Sequence, residues 1–418
     1  VCSPGLTGCC RAALLLPVSY QWGEQMEQRG PARRTPIREV RRRHRQLVLR
    51  ALRDSGPLPR ADLARRLGLS ATTMTKVVGE LIAEGVVAES GVAGPGLRVG
   101  RPATHVRITP ESRTVLGVGV GAGLVQLAVC DLYATPLRTL SFRYEPTTPA
   151  EEVVDRIGQA ARSLVAHAGA AAGQPLGIGV AAPGPVDDAL RRNLLSINLG
   201  WRDVAFSDRL EAAVHLPTVV DHNVRTMALA EARYGPSAAD PLLYVYVRTG
   251  VGAGLVIDGV PFRAGPYGVT ELGHLQVLPG GPVCACGARG CLETLVAEPV
   301  LTGQATALLG HAPRALLPQL VQAADDGHDG AQRVLAAMVD HLTTGLASAV
   351  NLFNPERVVL GGMFEGAPAP LLDTIATALY GKAFPLLRDR VRIAPSSLGP
   401  LAGAVGGAAL ALDHFFYT

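Results

Sequence analysis

The sequence contains 418 residues, and its 39 Lys or Arg against 35 Asp or Glu give a net charge of +4. Hydrophobic residues make up 48% of it and glycine is abundant, which favours packed α/β domains and argues against a disordered chain. The apolar runs are far shorter than a bilayer requires, so a membrane-spanning protein is not expected. The apolar run over residues 12–18 is too short and too poorly flanked for a signal peptide, and we expect a cytoplasmic protein.

The charge is unevenly distributed along the chain. Residues 31–110 carry 16 Lys or Arg and 6 Asp or Glu, a net charge of +10, whereas residues 111–418 carry a net charge of −6. A basic N-terminal module attached to an acidic body is typical of proteins that bind nucleic acid.

The N-terminal region divides into a leader and a helical segment. Residues 1–35 show no sustained hydrophobic period, so we predict a disordered leader. A first helix begins at Arg38, has an Arg-rich face and ends at Ser55-Gly56-Pro57. A short helix closed by Gly68 follows, and Ser70 then caps a third helix. A helix, a Gly-containing turn and an N-capped helix together form a helix-turn-helix.

Two strands are predicted next, over residues 85–91 and 104–109, around a loop rich in Gly, Pro and Arg. They add a wing, so the segment is expected to be a winged helix-turn-helix that contacts DNA with the start of the third helix and the tip of the wing. The alternative is a small helical bundle with a solvated basic surface, which the wing and the charge distribution argue against. The predicted DNA-contacting residues are Arg60, Ser70, Ala71, Thr72, Thr73, Thr75, Lys76, Arg98 and Arg101.

A candidate metal site lies in residues 271–293. His274, Cys284, Cys286 and Cys291 fall within eighteen residues and are separated by glycines and a proline, so a loop can bring the side chains to one point. Three thiolates and one imidazole form a closed tetrahedral set suited to structural Zn²⁺. The alternatives are a disulfide or unrelated buried thiols, although cysteines one residue apart pair poorly.

The same stretch carries a resemblance to a known family. Glu-x-Gly-His, then Cys-x-Cys and Gly-x-x-Gly-Cys-Leu-Glu, resembles the zinc loop of the ROK family of repressors and sugar kinases. Many ROK repressors also carry a winged module that ends in Gly-Arg-Pro, as residues 100–102 do here. The resemblance implies an α/β fold with an N-terminal winged helix-turn-helix (36–109), followed by a two-lobed actin-like ATPase or sugar-kinase (ROK) fold (114–418) with the zinc loop at 271–293.

In that family, side chains of the zinc loop also line a sugar pocket, together with an Asn-Asp pair on a strand-to-helix turn. The pair becomes His222 and Asn223 here. An amide has no useful basicity near neutral pH, so Asn223 cannot replace the kinase base, but it can still hydrogen-bond a hydroxyl. His222 is interpreted as a further sugar contact or a pH-sensitive element, with a plain surface or turn histidine as the alternative. The resemblance thus implies a sugar-binding set of His222, Asn223, Glu271, His274 and Glu293.

Other kinase features are missing as well. Gly119 stands where the kinases keep an Asp that helps hold the metal and nucleotide, Gly123 stands where they keep a Thr, and Arg248 replaces the first Gly of the second phosphate hairpin. The losses at Gly119, Gly123 and Asn223 each remove a different part of phosphoryl transfer. We therefore expect no catalytic residues, no ATP and no enzyme activity.

We predict a sequence-specific DNA-binding regulator, a repressor of sugar uptake or catabolism genes, whose ROK body senses a sugar. The alternatives are a ROK regulator that answers to a protein partner or to no ligand, and, least favoured, an active ATP-dependent sugar kinase. The implied cofactor is structural Zn²⁺. The implied partners are a palindromic double-stranded DNA operator, a small sugar or sugar derivative, and a second copy of the chain in a homodimer or higher homo-oligomer.

Overall fold

The structure, a computed structural model, describes residues 37–90, 104–168, 173–236, 240–263, 265 and 267–418. The chain divides into two units, residues 1–43 and residues 44–418. The described residues of the first unit, 37–43, begin a helix that continues into the second unit. The predicted leader lies outside the described residues. Within the described part, no helix has the length and apolar character needed to cross a bilayer.

The N-terminal module has three helices and a small sheet. Its elements are α1 (Ile37–Ser55), β1 (Leu58–Pro59), α2 (Arg60–Leu67), α3 (Ala71–Ala83), β2 (Val87–Ser90) and β3 (His105–Ile108). The strands pair antiparallel in the order β1-β3-β2. The helices bury one apolar face each, with Leu52, Leu63 and Leu81 fully buried. Gly68 ends α2 in the left-handed conformation that glycine adopts without strain. The predicted winged helix-turn-helix is confirmed.

The first lobe of the body is built on a five-stranded sheet. Its elements are β4 (Arg113–Gly121), β5 (Leu124–Cys130), β6 (Pro136–Arg143), α4 (Ala150–Ala168), β7 (Gln174–Ala182), β8 (Asn193–Ser196), β9 (Trp201–Val204), α5 (Phe206–Val214), β10 (Thr218–His222) and α6 (Asn223–Tyr234). The sheet order is β10-β7-β4-β5-β6, parallel from β10 to β4 and antiparallel beyond. Seven consecutive residues of β4 are buried, as expected for a central strand covered on both faces.

The second lobe repeats this plan. Its elements are β11 (Leu242–Val247), β12 (Val251–Ile257), β13 (Val260–Pro261), α7 (Glu293–Val296), α8 (Glu298–Leu309), α9 (Leu316–Asp325), α10 (Asp329–Phe353), β14 (Arg357–Gly362), α11 (Ala369–Lys382), α12 (Pro385–Arg388), β15 (Arg392–Pro395) and α13 (Ala402–Phe415). The sheet order is β13-β12-β11-β14-β15. The predicted mixed α/β architecture with two lobes is confirmed.

The last helix, α13, returns to the first lobe and packs directly on its sheet. A Cβ added at Gly117 would lie 1.9 Å from the carbonyl oxygen of Ala404, and one at Gly179 would lie 1.9 Å from that of Gly407. Only glycine permits so close an approach of helix and strand. The small residues of α13 that the sequence suggested for close packing meet glycines on β4 and β7.

The segment between the module and the body is short. Residues 110–112 form one 3-10 turn, and β4 begins at the next residue. The sequence predicted a helix over residues 151–171, and α4 spans Ala150–Ala168, while residues 169–172 lie outside the described residues.

Candidate functional site

The predicted metal ligands converge. The ligand atoms of His274, Cys284, Cys286 and Cys291 all lie within 4.8 Å of one another. The Sγ atoms of Cys286 and Cys291 are 3.8 Å apart, and Cys284 Sγ is 3.5 Å from Nδ1 of His274. A tetrahedral ion with Zn–S bonds of about 2.3 Å requires sulfur–sulfur separations of about 3.8 Å. The four residues therefore fit a metal ion, and the described cysteines form no disulfide.

Short backbone hydrogen bonds and glycines shape this loop. Cys284 N donates to Ala288 O, and Gly290 N donates to Pro282 O. Gly290 has a positive φ of 70°, and a Cβ there would lie 1.7 Å from Leu278 O. Glycine is required at this position, because no other residue could make the turn that returns Cys291 to the other ligands.

The acids of the zinc loop lie beside the metal cluster. Glu271 Oε2 is 4.0 Å from Nε2 of His274, so the two nitrogens of one imidazole face the acid and the thiols respectively. Burial raises the pKa of Glu271; the neighbouring His274 opposes the rise, and the nearby Glu293 carboxylate adds to it. Glu293 accepts a hydrogen bond from Val251 N at 3.0 Å. These three predicted pocket residues are therefore brought together at the start of β12.

His222 and Asn223 occupy the junction of β10 and α6. His222 is only 6% exposed, and its Nδ1 is buried without a hydrogen-bond partner among the described residues. Burial lowers the pKa of His222 to about 4, so the ring is neutral at neutral pH. The alternative of an exposed surface histidine is therefore wrong, although His222 does lie at a turn between a strand and a helix. Asn223 Oδ1 accepts a hydrogen bond from Val224 N at 2.8 Å, which leaves its NH₂ group free to donate.

The predicted pocket residues fall into two groups, His222–Asn223 and the acids of the zinc loop with His274. Helix α6, which begins at Asn223, packs against β12, the strand beside the acids. A Cβ at Gly252 of β12 would lie 2.6 Å from a methyl group of Val224, which immediately follows the His222–Asn223 turn. Within the described residues, no hydrogen bond or ion pair connects His222 or Asn223 to Glu271, His274 or Glu293. The structure thus places the two groups on adjoining elements.

Two further residues at this site were not predicted. Asn198 and Glu293 both lie beside Gly250. A Cβ added at Gly250 would be 2.4 Å from a carboxylate oxygen of Glu293 and 3.2 Å from Nδ2 of Asn198, so the two side chains are neighbours. Arg225, on the first turn of α6, forms a buried ion pair with Asp221 just before His222. The i,i+4 spacing of Asp221 and Arg225 was a usable signal for the ion pair. The approach of Asn198 to Glu293 has no local signal, because 95 residues separate them.

Two positions that depart from the kinase pattern, Gly119 and Arg248, pack against other parts of the chain. A Cβ at Gly119 would lie 2.6–2.8 Å from backbone atoms of Gly403 and Ala404, so no side chain fits there without movement of α13. Arg248 forms an ion pair with Glu298 at 2.9 Å, and its Cγ lies 2.9 Å from the position of a Cβ at Gly362. Arg248 therefore covers the Gly-Gly turn that ends β14.

The predicted DNA-contacting residues of α3 lie on its exposed face. Ala71, Thr72, Thr75 and Lys76 are exposed, whereas Met74 faces the core. Ser70 accepts a hydrogen bond from Thr73 N at 3.1 Å, as the predicted cap requires.

Of the other predicted DNA contacts, one is engaged in an ion pair and two lie outside the described residues. Arg60 is paired with Glu89 at 2.7 Å and would have to exchange this partner to contact a phosphate. Arg98 and Arg101 lie outside the described residues.

A winged helix-turn-helix attached to a two-lobed body with a Cys₃His cluster defines a DNA-binding protein built on a sugar-kinase fold. Residues 41–88 match the model described as winged helix-turn-helix DNA-binding. Residues 115–414 match the ROK family model, and the chain belongs to the ROK family.

Regulators are among its relatives. The xylose repressor of Bacillus subtilis (strain 168) is 24% identical over 377 residues, which cover 90% of this chain and 96% of the repressor. The DNA-binding transcriptional repressor Mlc of Escherichia coli (strain K12) is 26% identical over 393 residues, 91% of this chain and 95% of Mlc.

The solved structures include both regulators and kinases. A ROK family transcriptional regulator, a homologue of the E. coli MLC protein, superposes with a TM-score of 0.76 and 25% identity, over 90% of this chain and 97% of that one. A ROK family glucokinase from Streptomyces griseus, in complex with glucose and AMPPNP, gives a TM-score of 0.63 and 27% identity, over 72% and 99%. The kinase covers much less of this chain than the regulator does.

Proposed function

We propose that this chain is a sequence-specific DNA-binding repressor whose ROK body binds a sugar and no longer transfers phosphate. The observation that supports this proposal is an amide, Asn223, at the position of the kinase base, on an element that adjoins the strand beside the acids Glu271 and Glu293. Such a site keeps hydrogen-bonding groups for hydroxyls and lacks a group that could take the proton from one. The exposed start of α3 supplies the surface for reading DNA.

The pocket offers complementary groups for a neutral polyol. Glu271 and Glu293 provide carboxylate oxygens that accept from hydroxyls, and Asn223 provides an NH₂ donor. The buried His222 has an Nδ1 without a hydrogen-bond partner among the described residues, and a ligand hydroxyl would satisfy it only if the surrounding groups moved to expose it. These groups support a sugar more than a strongly charged ligand.

Three observations support the proposed loss of phosphoryl transfer. The base is absent at Asn223, a metal-holding carboxylate cannot be accommodated at Gly119, and the Arg248–Glu298 ion pair covers the turn after β14. Each part is needed to orient or activate the reacting groups. We therefore propose a sensor without enzyme activity, which takes no ATP.

We propose Zn²⁺ as the ion held by His274, Cys284, Cys286 and Cys291. With four protein ligands no position is left for a reacting water, so the ion supplies structure. It would fix the imidazole of His274, whose other nitrogen then faces Glu271.

We further propose that the chain acts as a homodimer on a palindromic operator, because two half-sites read together give useful specificity. Its action on DNA would place it in the cytoplasm. Curated relatives are named as repressors for xylose and for N-acetylglucosamine, so the effector differs among them and must be found by experiment.

The test is DNA binding by the full chain at fixed salt, with a fragment that the chain selects from a random library. The fragment is titrated in the presence of D-xylose, D-glucose or N-acetyl-D-glucosamine. Binding that one sugar weakens supports the proposal and identifies the effector. Binding that no member of a wider monosaccharide panel alters would keep the DNA role, reject the sugar pocket and favour a protein partner. Sugar-dependent ATP turnover would overturn the proposal.

A further inference from the structure

The DNA-binding module shares its hydrophobic core with the body. Leu49 and Leu52 of α1 belong to one buried cluster with Leu229 and Ala230 of α6. The same cluster includes six residues of α13, namely Ala404, Val405, Ala408, Ala409, Ala411 and Leu412. A module tethered by a loose linker would have a separate core. This continuity means that the module cannot move relative to α6 and α13 without breaking apolar contacts.

A buried arginine lies within this shared core. The side chain of Arg53 is 1% exposed, and its guanidinium lies 4.6 Å from the centroid of the Tyr417 ring. Its Nε donates to Asp54 at 2.7 Å, but Nη1 and Nη2 are buried without a hydrogen-bond partner among the described residues. A buried cation with unsatisfied donors is costly, so its contact with the aromatic face is a significant compensation.

Tyr417 is held from both sides. Its carbonyl oxygen accepts from Arg50 Nε at 2.8 Å, and its hydroxyl donates to Leu132 O at 2.8 Å. Arg50 belongs to α1 and Leu132 follows β5 of the first lobe. The ring under Arg53 is therefore fixed to the body and to the module at once.

Helix α6 connects this contact to the proposed pocket. It begins at Asn223, and its last residue, Tyr234, packs against the shared cluster. Tyr234 and the Tyr417 ring under Arg53 thus pack in the same cluster. Burial raises the pKa of Tyr234, and the charge of Arg53 opposes the rise. Burial lowers the pKa of Arg233 at the same end of α6, and the charge of Arg53 lowers it further.

We propose that Arg53 is a positioning residue that couples the DNA-binding module to α6 and thereby to the pocket at its other end. The inference rests on the proposed function. A helix moves as a rigid element, so a ligand that displaces the Asn223 end also displaces Tyr234. Nη1 and Nη2 of Arg53 have no hydrogen-bond partner among the described residues, so a displacement of Tyr234 changes the packing around the guanidinium and its contact with Tyr417. The position of the module then depends on the state of the pocket.

The test uses the reciprocity of linked sites and needs no sugar. If the pocket end of α6 and the DNA surface are coupled, DNA binding must change how readily the backbone hydrogen bonds of α6 open. We would measure hydrogen exchange in the full chain, with and without the DNA fragment that the chain selects. The variant Arg53→Met keeps side-chain length and removes the charge. The matched control is Arg65→Met, at an exposed arginine of the same module that pairs with Asp62.

In the wild type and in Arg65→Met, DNA should change exchange in α6 and at the 222–223 turn by roughly fivefold or more, the lower range of usual couplings. Arg53→Met should still bind DNA but lose this change. An unaltered response in Arg53→Met, or no response in the wild type, would overturn the inference. If Arg53→Met does not fold, Tyr417→Leu removes the ring from under the guanidinium and should give the same loss. A wild-type chain that selects no DNA would instead reject the proposed function, and this inference with it.

Discussion

The carboxylate of Glu271 lies 4.0 Å from Nε2 of His274, while Nδ1 of the same ring lies 3.5 Å from Cys284 Sγ. One side chain therefore belongs both to the metal cluster and to the proposed pocket. An ion that binds Nδ1 would fix the ring and present the Nε2 proton toward the acid. The integrity of the pocket should then depend on the metal.

Removal of one thiol tests this dependence. Cys284→Ser should lower the zinc content of the purified chain from about one ion per chain to a small fraction, because a closed structural site needs all four ligands. The effector should also bind at least about tenfold more weakly, at the lower end of the effect of losing metal-supporting groups. Metal analysis and calorimetry are the measurements. The control Cys130→Ala, at a buried cysteine outside the cluster, should keep its zinc. Full zinc retention in Cys284→Ser would contradict the assigned ligands.

The crowding at Gly119 predicts that a carboxylate cannot be restored there. Gly119→Asp should lower the free energy of unfolding by about 1–3 kcal/mol, because the new Cβ overlaps the backbone of α13. The control Gly303→Asp, on a helix with open space around the glycine, should stay within about 0.5 kcal/mol of the wild type. Denaturant unfolding measures both. The double variant Gly119→Asp with Asn223→Asp should show no sugar-dependent ATP turnover, and appearance of turnover would contradict the role given to α13.

The exposed Lys76 predicts a change in the salt dependence of DNA binding. Lys76→Gln should weaken binding to all DNA sequences alike, and the slope of log K against log salt should become less steep by about 0.9 for one lost phosphate contact. Fluorescence anisotropy at several salt concentrations measures the slope. Lys382→Gln is the control, since Lys382 pairs with Asp340 on the second lobe. An unchanged slope in Lys76→Gln would exclude a phosphate contact by this residue.

The capping role of Ser70 has a separate consequence. Ser70→Ala removes the side-chain oxygen that accepts from Thr73 N, which should destabilise the start of α3 by about 1 kcal/mol. Hydrogen exchange of the α3 amides should rise accordingly. Ser70→Asp, which can still cap, should restore protection. If Ser70→Ala left α3 protection unchanged, the cap would contribute nothing measurable.

The buried His222 predicts a dependence of stability on pH. Its pKa is lowered to about 4 in the folded protein from an ordinary value of about 6.5, so the unfolded chain takes up the proton first as pH falls. The stability contributed by neutral His222 is fully present above pH 6.5 or so and is lost as pH falls toward about 4. Denaturant unfolding should show that the wild type loses about 3 kcal/mol more over this range than His222→Gln. His311→Gln, at an exposed histidine, should follow the wild type. Parallel pH profiles for the wild type and His222→Gln would mean that His222 is not buried as described.

The sequence alone determined the features that depend on residues close together in the chain. The three helices of the module, the cap at Ser70 and the glycine at position 68 follow from hydrophobic period and backbone preference within a few residues. The metal ligands follow from the spacing of His274 and the cysteines inside one loop. The missing kinase groups were visible as Gly119 and Asn223, because a side chain that is not encoded cannot act.

Tertiary structure decided the properties that depend on distant parts of the chain. Burial of His222 fixes its protonation, and the approach of α13 closes the space at Gly119. Arg53 contacts Tyr417, which is 364 positions away in the sequence. Arginine usually lies on the surface, and only the tertiary structure places Arg53 in the core that the module and the body share. Such contacts arise because a chain of this length buries apolar surface wherever elements meet, and no local period specifies which elements those are.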